Sequence, residues 1–128
     1  MAVRIVRLGS DRIKGEGIRI GTVRRPPRGV PKKDLASRNF YDTWLPNLSP
    51  SPETMKMGQQ AQTDREWLAF ERRYKKEMAR PENVRILELL AVMSQVSDFS
   101  VGCYCENESR CHRSMLKQLL AEKGADLA

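Results

Sequence analysis

The stretch that most constrains the fold runs from Ser100 to Gly124, where an apolar strand pattern gives way to an amphipathic helix pattern. All three cysteines and the single histidine of the chain lie within it. Ser100–Cys105 reads as a buried strand, Glu106–Arg110 as a polar turn, and Cys111–Lys123 as a helix stopped by Gly124. A strand feeding a helix is the building unit of α/β domains. Ligands settle at the carboxyl end of such a strand, because the first N–H groups of the following helix lack partners and its macrodipole favours anions.

Periodicity gives directions to these side chains. On a strand, Val101, Cys103 and Cys105 share one face, with Gly102 and Tyr104 on the other. On the helix, His112, Met115, Leu116, Leu119 and Leu120 follow the three/four spacing of a core-facing stripe, and Arg113 lies beside it, able to reach back over the helix start.

Upstream, Val3–Leu8 alternates as a first strand, turns follow at Gly9 and Gly15, and Ile18–Val23 is a short β-branched strand. From Arg24 to Lys33, prolines 26, 27 and 31 and Gly29 exclude both helix interior and central strand. That segment is expected to be a stiff extended loop, and an arginine on such a loop is a preorganised clamp for phosphate or carboxylate. A short helical turn is expected within 32–39, and Phe40, Tyr41 and Trp44 are expected in the core. Ser49 and Ser51 flank prolines 50 and 52, and a serine here is expected to cap the turn that follows. Thr63 and Glu66 have capping-box spacing ahead of a helix with Trp67, Phe70, Tyr74 and Met78 on its apolar stripe. Pro81 opens a second helix at the position where its missing N–H costs nothing, with Val84, Leu87, Leu90, Ala91 and Met93 facing the core.

The whole is expected to be one α/β domain over residues 1–128: a small, mostly parallel sheet flanked by helices in three layers. A chain of 128 residues suffices for one hydrophobic core. No apolar run reaches membrane-spanning length, and the arginines among the first twelve residues interrupt any signal-peptide core, so a cytoplasmic location and no membrane partner are expected. An odd cysteine count in that setting favours free thiols over a disulfide framework.

A net charge of +7 and a pI near 9.7 favour acidic partners. Lys14, Arg19, Arg24, Arg25, Arg28, Lys32, Lys33 and Arg38 concentrate that charge in the N-terminal half. An anionic small molecule is the leading partner; nucleic acid is expected to bind only weakly, since no aromatic stacking platform interleaves the basic residues. No feature of the sequence specifies an oligomeric state.

Three readings compete for the cysteine and histidine cluster. Cys103, Cys105, Cys111 and His112 are enough donors for a tetrahedral zinc. Against this, adjacent residues on a helix point about 100° apart, so Cys111 and His112 would diverge, and neither a metal nor a cofactor is assigned. As a thiol site, Cys111 at a helix start beside Arg110, His112 and Arg113 would have a lowered pKa, with Cys105 as a second reactive thiol. As packing, Cys103 is read as a small buried hydrophobe, too far along a strand from Cys105 to bridge to it. The candidate catalytic residues are therefore Cys111, His112 and Cys105, and the candidate ligand-binding residues Arg113, Arg28 and Ser114. The leading function is binding or acting on a phosphorylated or nucleotide-like small molecule. A nucleic-acid-binding module and a zinc-stabilised interaction domain are the alternatives, and enzyme and binder are both open.

The run Gly102-Cys-Tyr-Cys-Glu, the Cys111-His-Arg-Ser motif, Pro27-Arg-Gly-Val and Trp44-Leu-Pro-Asn-Leu-Ser-Pro-Ser together resemble the domain-of-unknown-function family 488, DUF488, small bacterial proteins. The resemblance spans almost the whole chain and implies a compact α/β domain with an enzyme-like Cys-His-Arg motif, but names no reaction. The family's better-known branch carries Asp-Arg-Leu-Trp-Pro-Arg-Gly where this chain has Thr22-Val-Arg-Arg-Pro-Pro-Arg-Gly, so nothing attached to that tryptophan transfers.

Overall fold

A computed structural model of the chain describes residues 1–105 and 111–128. The expected polar turn at 106–110 lies outside the described residues.

Among the described residues four strands, β1 (Val3–Arg7), β2 (Ile18–Gly21), β3 (Thr43–Trp44) and β4 (Phe99–Cys103), form one sheet in the order β1-β4-β2-β3, with every pairing parallel. The α-helices of the described residues, α1 (Pro52–Gln60), α2 (Asp64–Met78), α3 (Pro81–Ser94) and α4 (His112–Glu122), lie in the connection from β3 to β4 and at the C-terminus. The fold class is thus the α/β one read from the sequence. β4 is central and wholly buried, and its neighbours lie in register with Val3 beside Phe99 and Ile20 beside Val101.

The main core lies where the alternation of β4 directs it. Phe99 and Val101, with Val3 and Ile20, meet Phe70 and Tyr74 of α2, Leu87 of α3, and Met115, Leu116 and Leu120 of α4. Each of these side chains, fully buried, is worth roughly 1.5–3 kcal/mol of transfer free energy. Ser100 and Gly102 point the other way, onto a face covered by connections that carry Leu8, Leu35 and Tyr41. Gly102 is required there, since a Cβ would sit 2.4 Å from the Val6 carbonyl oxygen.

Local signals behaved as their chemistry dictates. Thr63 caps α2 by accepting from Glu66 N at 3.1 Å, although Glu66 returns to the threonine hydroxyl rather than to its backbone. Ser51 caps α1, and Pro81 is the first residue of α3. Gly124, at φ +86°, ends the last helix in a conformation that L side chains rarely adopt. Other expectations shift. The strand at 100–105 is displaced to Phe99–Cys103, so Cys105 falls beyond it. The turn in 32–39 is the single 3-10 turn Lys32–Asp34. Of the aromatic group, Tyr41 is buried, but Trp44 is 43% exposed on the two-residue edge strand, its indole N–H donating to Val23 O.

Candidate functional site

At the carboxyl end of β4 three segments converge: the end of that strand, residues Thr22–Arg28 following β2, and the start of α4. The strand's last carbonyls are taken by neighbouring backbone, Gly102 O by Thr22 N and Cys103 O by Leu8 N. That pairing holds the cysteine-bearing end in place. Cys111 is the N-cap of α4, with extended φ −135° and ψ 152°, so its side chain does not follow helical geometry. The divergence expected of adjacent helical residues does not apply. Instead, ligand atoms of Cys103, Cys111 and His112 all lie within 4.8 Å of one another, and the three residues are buried.

His112 is oriented from 90 residues away. Its Nε2 lies 2.9 Å from the carbonyl oxygen of Thr22. A carbonyl only accepts, so Nε2 carries the proton and Nδ1 presents its lone pair, 3.8 Å from Cys111 Sγ. Burial pulls the His112 pKa down to about 4, against the opposing hydrogen bond to Thr22, which keeps the ring neutral at pH 7. Tyr74 packs its ring 5.6 Å from the imidazole and fixes its own hydroxyl by donating to Leu48 O.

All three cysteines are free thiols, and only Cys105 is exposed. Lying past the strand, Cys105 turns back to hydrogen-bond with Cys103 and Cys111, contacts that regular strand spacing would forbid. Those two thiols hold the Cys105 pKa well below the ordinary cysteine value against the opposing effect of burial, helped by the charge of Arg113. Cys103 is raised by its bonds to Cys105 and Cys111 and by burial. For Cys111 the bond to Cys103 lowers the pKa, but the bond to Cys105 and burial outweigh it and the net shift is upward. Within the cluster the thiol shifted toward the thiolate is Cys105, while Cys111, a buried donor to it, is shifted the other way.

A cavity of about 810 Å³ opens over this cluster, with Cys103, Cys105, Cys111 and His112 on its inner surface. Arg24, Arg25, Arg28 and Lys56 bring positive charge to it. Met55, Trp67, Phe70 and Tyr104 supply apolar and aromatic wall. The volume is that of a site for a ligand of drug or nucleotide size.

Of the six residues singled out from the sequence, Cys105, Cys111, His112 and Arg28 line this cavity. Arg113 does not. It is buried, and its Nη2 donates to Cys105 O at 2.5 Å, so it positions the Cys105 backbone; its Nε has no hydrogen-bond partner among the described residues. Ser114 donates its hydroxyl to Cys111 O and closes the first turn of α4. Sequence reasoning weighed Cys103 as a zinc donor but assigned it to packing, and it missed Thr22 as the residue that orients His112. The spacing of Cys103 from Cys111 and His112 was a usable signal for the first; nothing local marks the second.

The basic segment is thinner than its charge count suggests. Arg19 is fully buried and bonded to Glu16, and Arg24 donates to Ser49 O and Pro50 O, leaving Lys14, Arg25, Arg28, Lys32, Lys33 and Arg38 exposed.

Fold and site together define a small α/β protein with a thiol- and imidazole-lined cavity at the carboxyl end of a parallel sheet. The chain belongs to the DUF488 family: the family model described as the active DUF488-N3 subclade matches residues 3–124. No curated protein and no solved structure matches it. Among the described residues, no helix is long and apolar enough to cross a membrane.

Proposed function

We propose that the protein is an enzyme that binds a phosphorylated or nucleotide-like small molecule in the cavity over the cysteine cluster. The observation that carries this reading is the coincidence, in one cavity, of the accessible thiol of Cys105 with the guanidinium groups of Arg25 and Arg28. Guanidinium groups suit phosphate oxygens through paired N–H donors, and the Trp67, Phe70 and Tyr104 rings suit a planar heterocycle. The prolines at 26 and 27 stiffen the segment that carries the two arginines, which lowers the entropy lost on binding. The description of the matched subclade as active supports catalysis over passive binding.

Calorimetric titration with adenosine monophosphate, with inorganic phosphate alongside, tests the reading. Binding should raise the melting temperature, and Arg28→Ala should weaken it by roughly tenfold or more, the worth of a charge-assisted hydrogen bond. Iodoacetamide should alkylate Cys105 before the buried thiols, and adenosine monophosphate should slow that reaction. Absence of heat and of any thermal shift at millimolar ligand, or binding unchanged in an Arg25→Ala, Arg28→Ala double variant, would remove the proposal.

A further inference from the structure

We infer that Cys103, Cys111 and His112 form a binding site for a divalent cation of the zinc class, with its fourth coordination position open to the cavity. Three observations carry this. The ligand atoms of the three residues lie within 4.8 Å of one another. A tetrahedral zinc, with Zn–S of about 2.3 Å and Zn–N of about 2.0–2.1 Å, spaces its ligand atoms about 3.5–3.8 Å apart, so closing the set onto an ion takes rotamer adjustments of roughly an ångström. The Cys111 Sγ to His112 Nδ1 distance is already 3.8 Å.

The second observation is the histidine's orientation. Metal-bound imidazoles characteristically donate their other N–H to a carbonyl or carboxylate, which fixes the tautomer and aims the ligating nitrogen. His112 does this: Nε2–H is spent on Thr22 O, and Nδ1 faces the Cys111 sulfur. The third is charge. Two thiolates balance a divalent cation while the imidazole stays neutral, so the buried site carries no net charge once filled. A divalent metal deprotonates coordinating thiols outright, and the soft donor set selects zinc-class ions over magnesium or calcium.

Cys105 lies outside this three-residue set and is exposed. Three protein ligands with a fourth position facing a cavity is the arrangement of catalytic rather than structural zinc sites. Such an ion would polarise an oxygen of whatever ligand the cavity holds. The site shares the cavity with the proposed phosphate ligand without depending on it, because metal content is read with no ligand added.

The test is metal analysis of the whole chain, kept reduced and purified without chelator, then stripped and reloaded with cobalt(II). About one equivalent of zinc is expected, and the cobalt form should show sulfur-to-cobalt charge transfer in the near ultraviolet with the intense visible bands of tetrahedral coordination. Cys103→Ser, Cys111→Ser and His112→Gln should each weaken binding at least tenfold, and Cys105→Ser should leave the stoichiometry at one. Far-ultraviolet circular dichroism of each stripped variant separates lost binding from lost fold. Less than a tenth of an equivalent after incubation with zinc would overturn the inference, as would full retention in Cys103→Ser. Loss in Cys105→Ser equal to that in Cys111→Ser would overturn the open position, making the site a closed four-ligand one.

Discussion

Two buried polar clusters sit on the central strand β4, one at Ser100 and one at Cys103, and they differ in how completely their hydrogen-bonding capacity is used. At Ser100, the Arg19 guanidinium spends its donors on both Glu16 carboxylate oxygens and on the carbonyls of Ser10, Asp11 and Asn39, while Ser100 adds a hydroxyl to Glu16. At Cys103, a histidine lone pair and weakly bonding sulfurs face one another beneath an open cavity. A saturated cluster can only hold structure; one with unspent lone pairs and access to solvent can take a ligand. Sequence alone ranked them the other way in part, reading Arg19 as part of a basic binding segment and Cys103 as packing.

The largest expected effect breaks the saturated cluster. Arg19→Met leaves the buried Glu16 carboxylate without its cation, takes a donor from the carbonyls of Ser10, Asp11 and Asn39, and should cost about 3–5 kcal/mol, read as a fall in the urea midpoint. A loss below about 1 kcal/mol would show that water or neighbouring side chains replace the guanidinium, and the contrast would fail. Cys111→Ala, in the open cluster of metal-free protein, should cost only about 1–2 kcal/mol, since a small buried thiol is lost without stranding a charge. Equal losses for the two variants would mean that the thiol cluster is as structural as the ion pair.

A smaller effect follows pH. Burial alone would raise the Glu16 carboxyl, but the hydrogen bond from Arg19 and its charge win, and the folded pKa is lowered. Such a group contributes stability that is complete above the unfolded carboxyl pKa of about 4.3 and is lost as pH falls through the depressed folded value. Stability measured by urea midpoint should therefore fall below pH about 4, and Glu16→Gln should flatten part of that limb. Asp42, lowered against its burial by Arg12 and by the Arg19 backbone, and Glu77, lowered against its burial by Ser51 and Thr54, account for further slope. An acid limb identical in Glu16→Gln would show that the pair does not titrate as a unit. The smallest effect belongs to Arg28→Ala, an exposed side chain on the cavity rim, which should change stability by no more than about 0.5 kcal/mol. A larger change would make Arg28 part of the scaffold and weaken its proposed role as an anion contact.

What the sequence could show depended on the range of the interaction. Thr63 with Glu66, Ser51 with Thr54, Pro81 and Gly124 act within about one helical turn, so their roles were legible from spacing. The α/β class was legible because β4 has helical periodicity on both of its sequence sides, before it in α3 and after it in α4. The Cys105, Cys111, His112 and Arg28 constellation was partly legible, since a strand end and a helix start adjacent in sequence must be neighbours in space. Arg113 and Ser114 share that motif but face inward, to Cys105 O and Cys111 O, a distinction of rotamer that spacing does not record.

By itself, the sequence determined the α/β class, the caps and the apolar stripes, because those follow from periodicity and from contacts between residues at most a few positions apart. Only the tertiary structure decided which cations are free, which nitrogen of His112 is available and which cysteines meet. Arg19 is neutralised by loops that the sheet brings together, and Thr22 reaches His112 across 90 residues because β2 lies beside β4. Both outcomes depend on strand order, which no local pattern encodes.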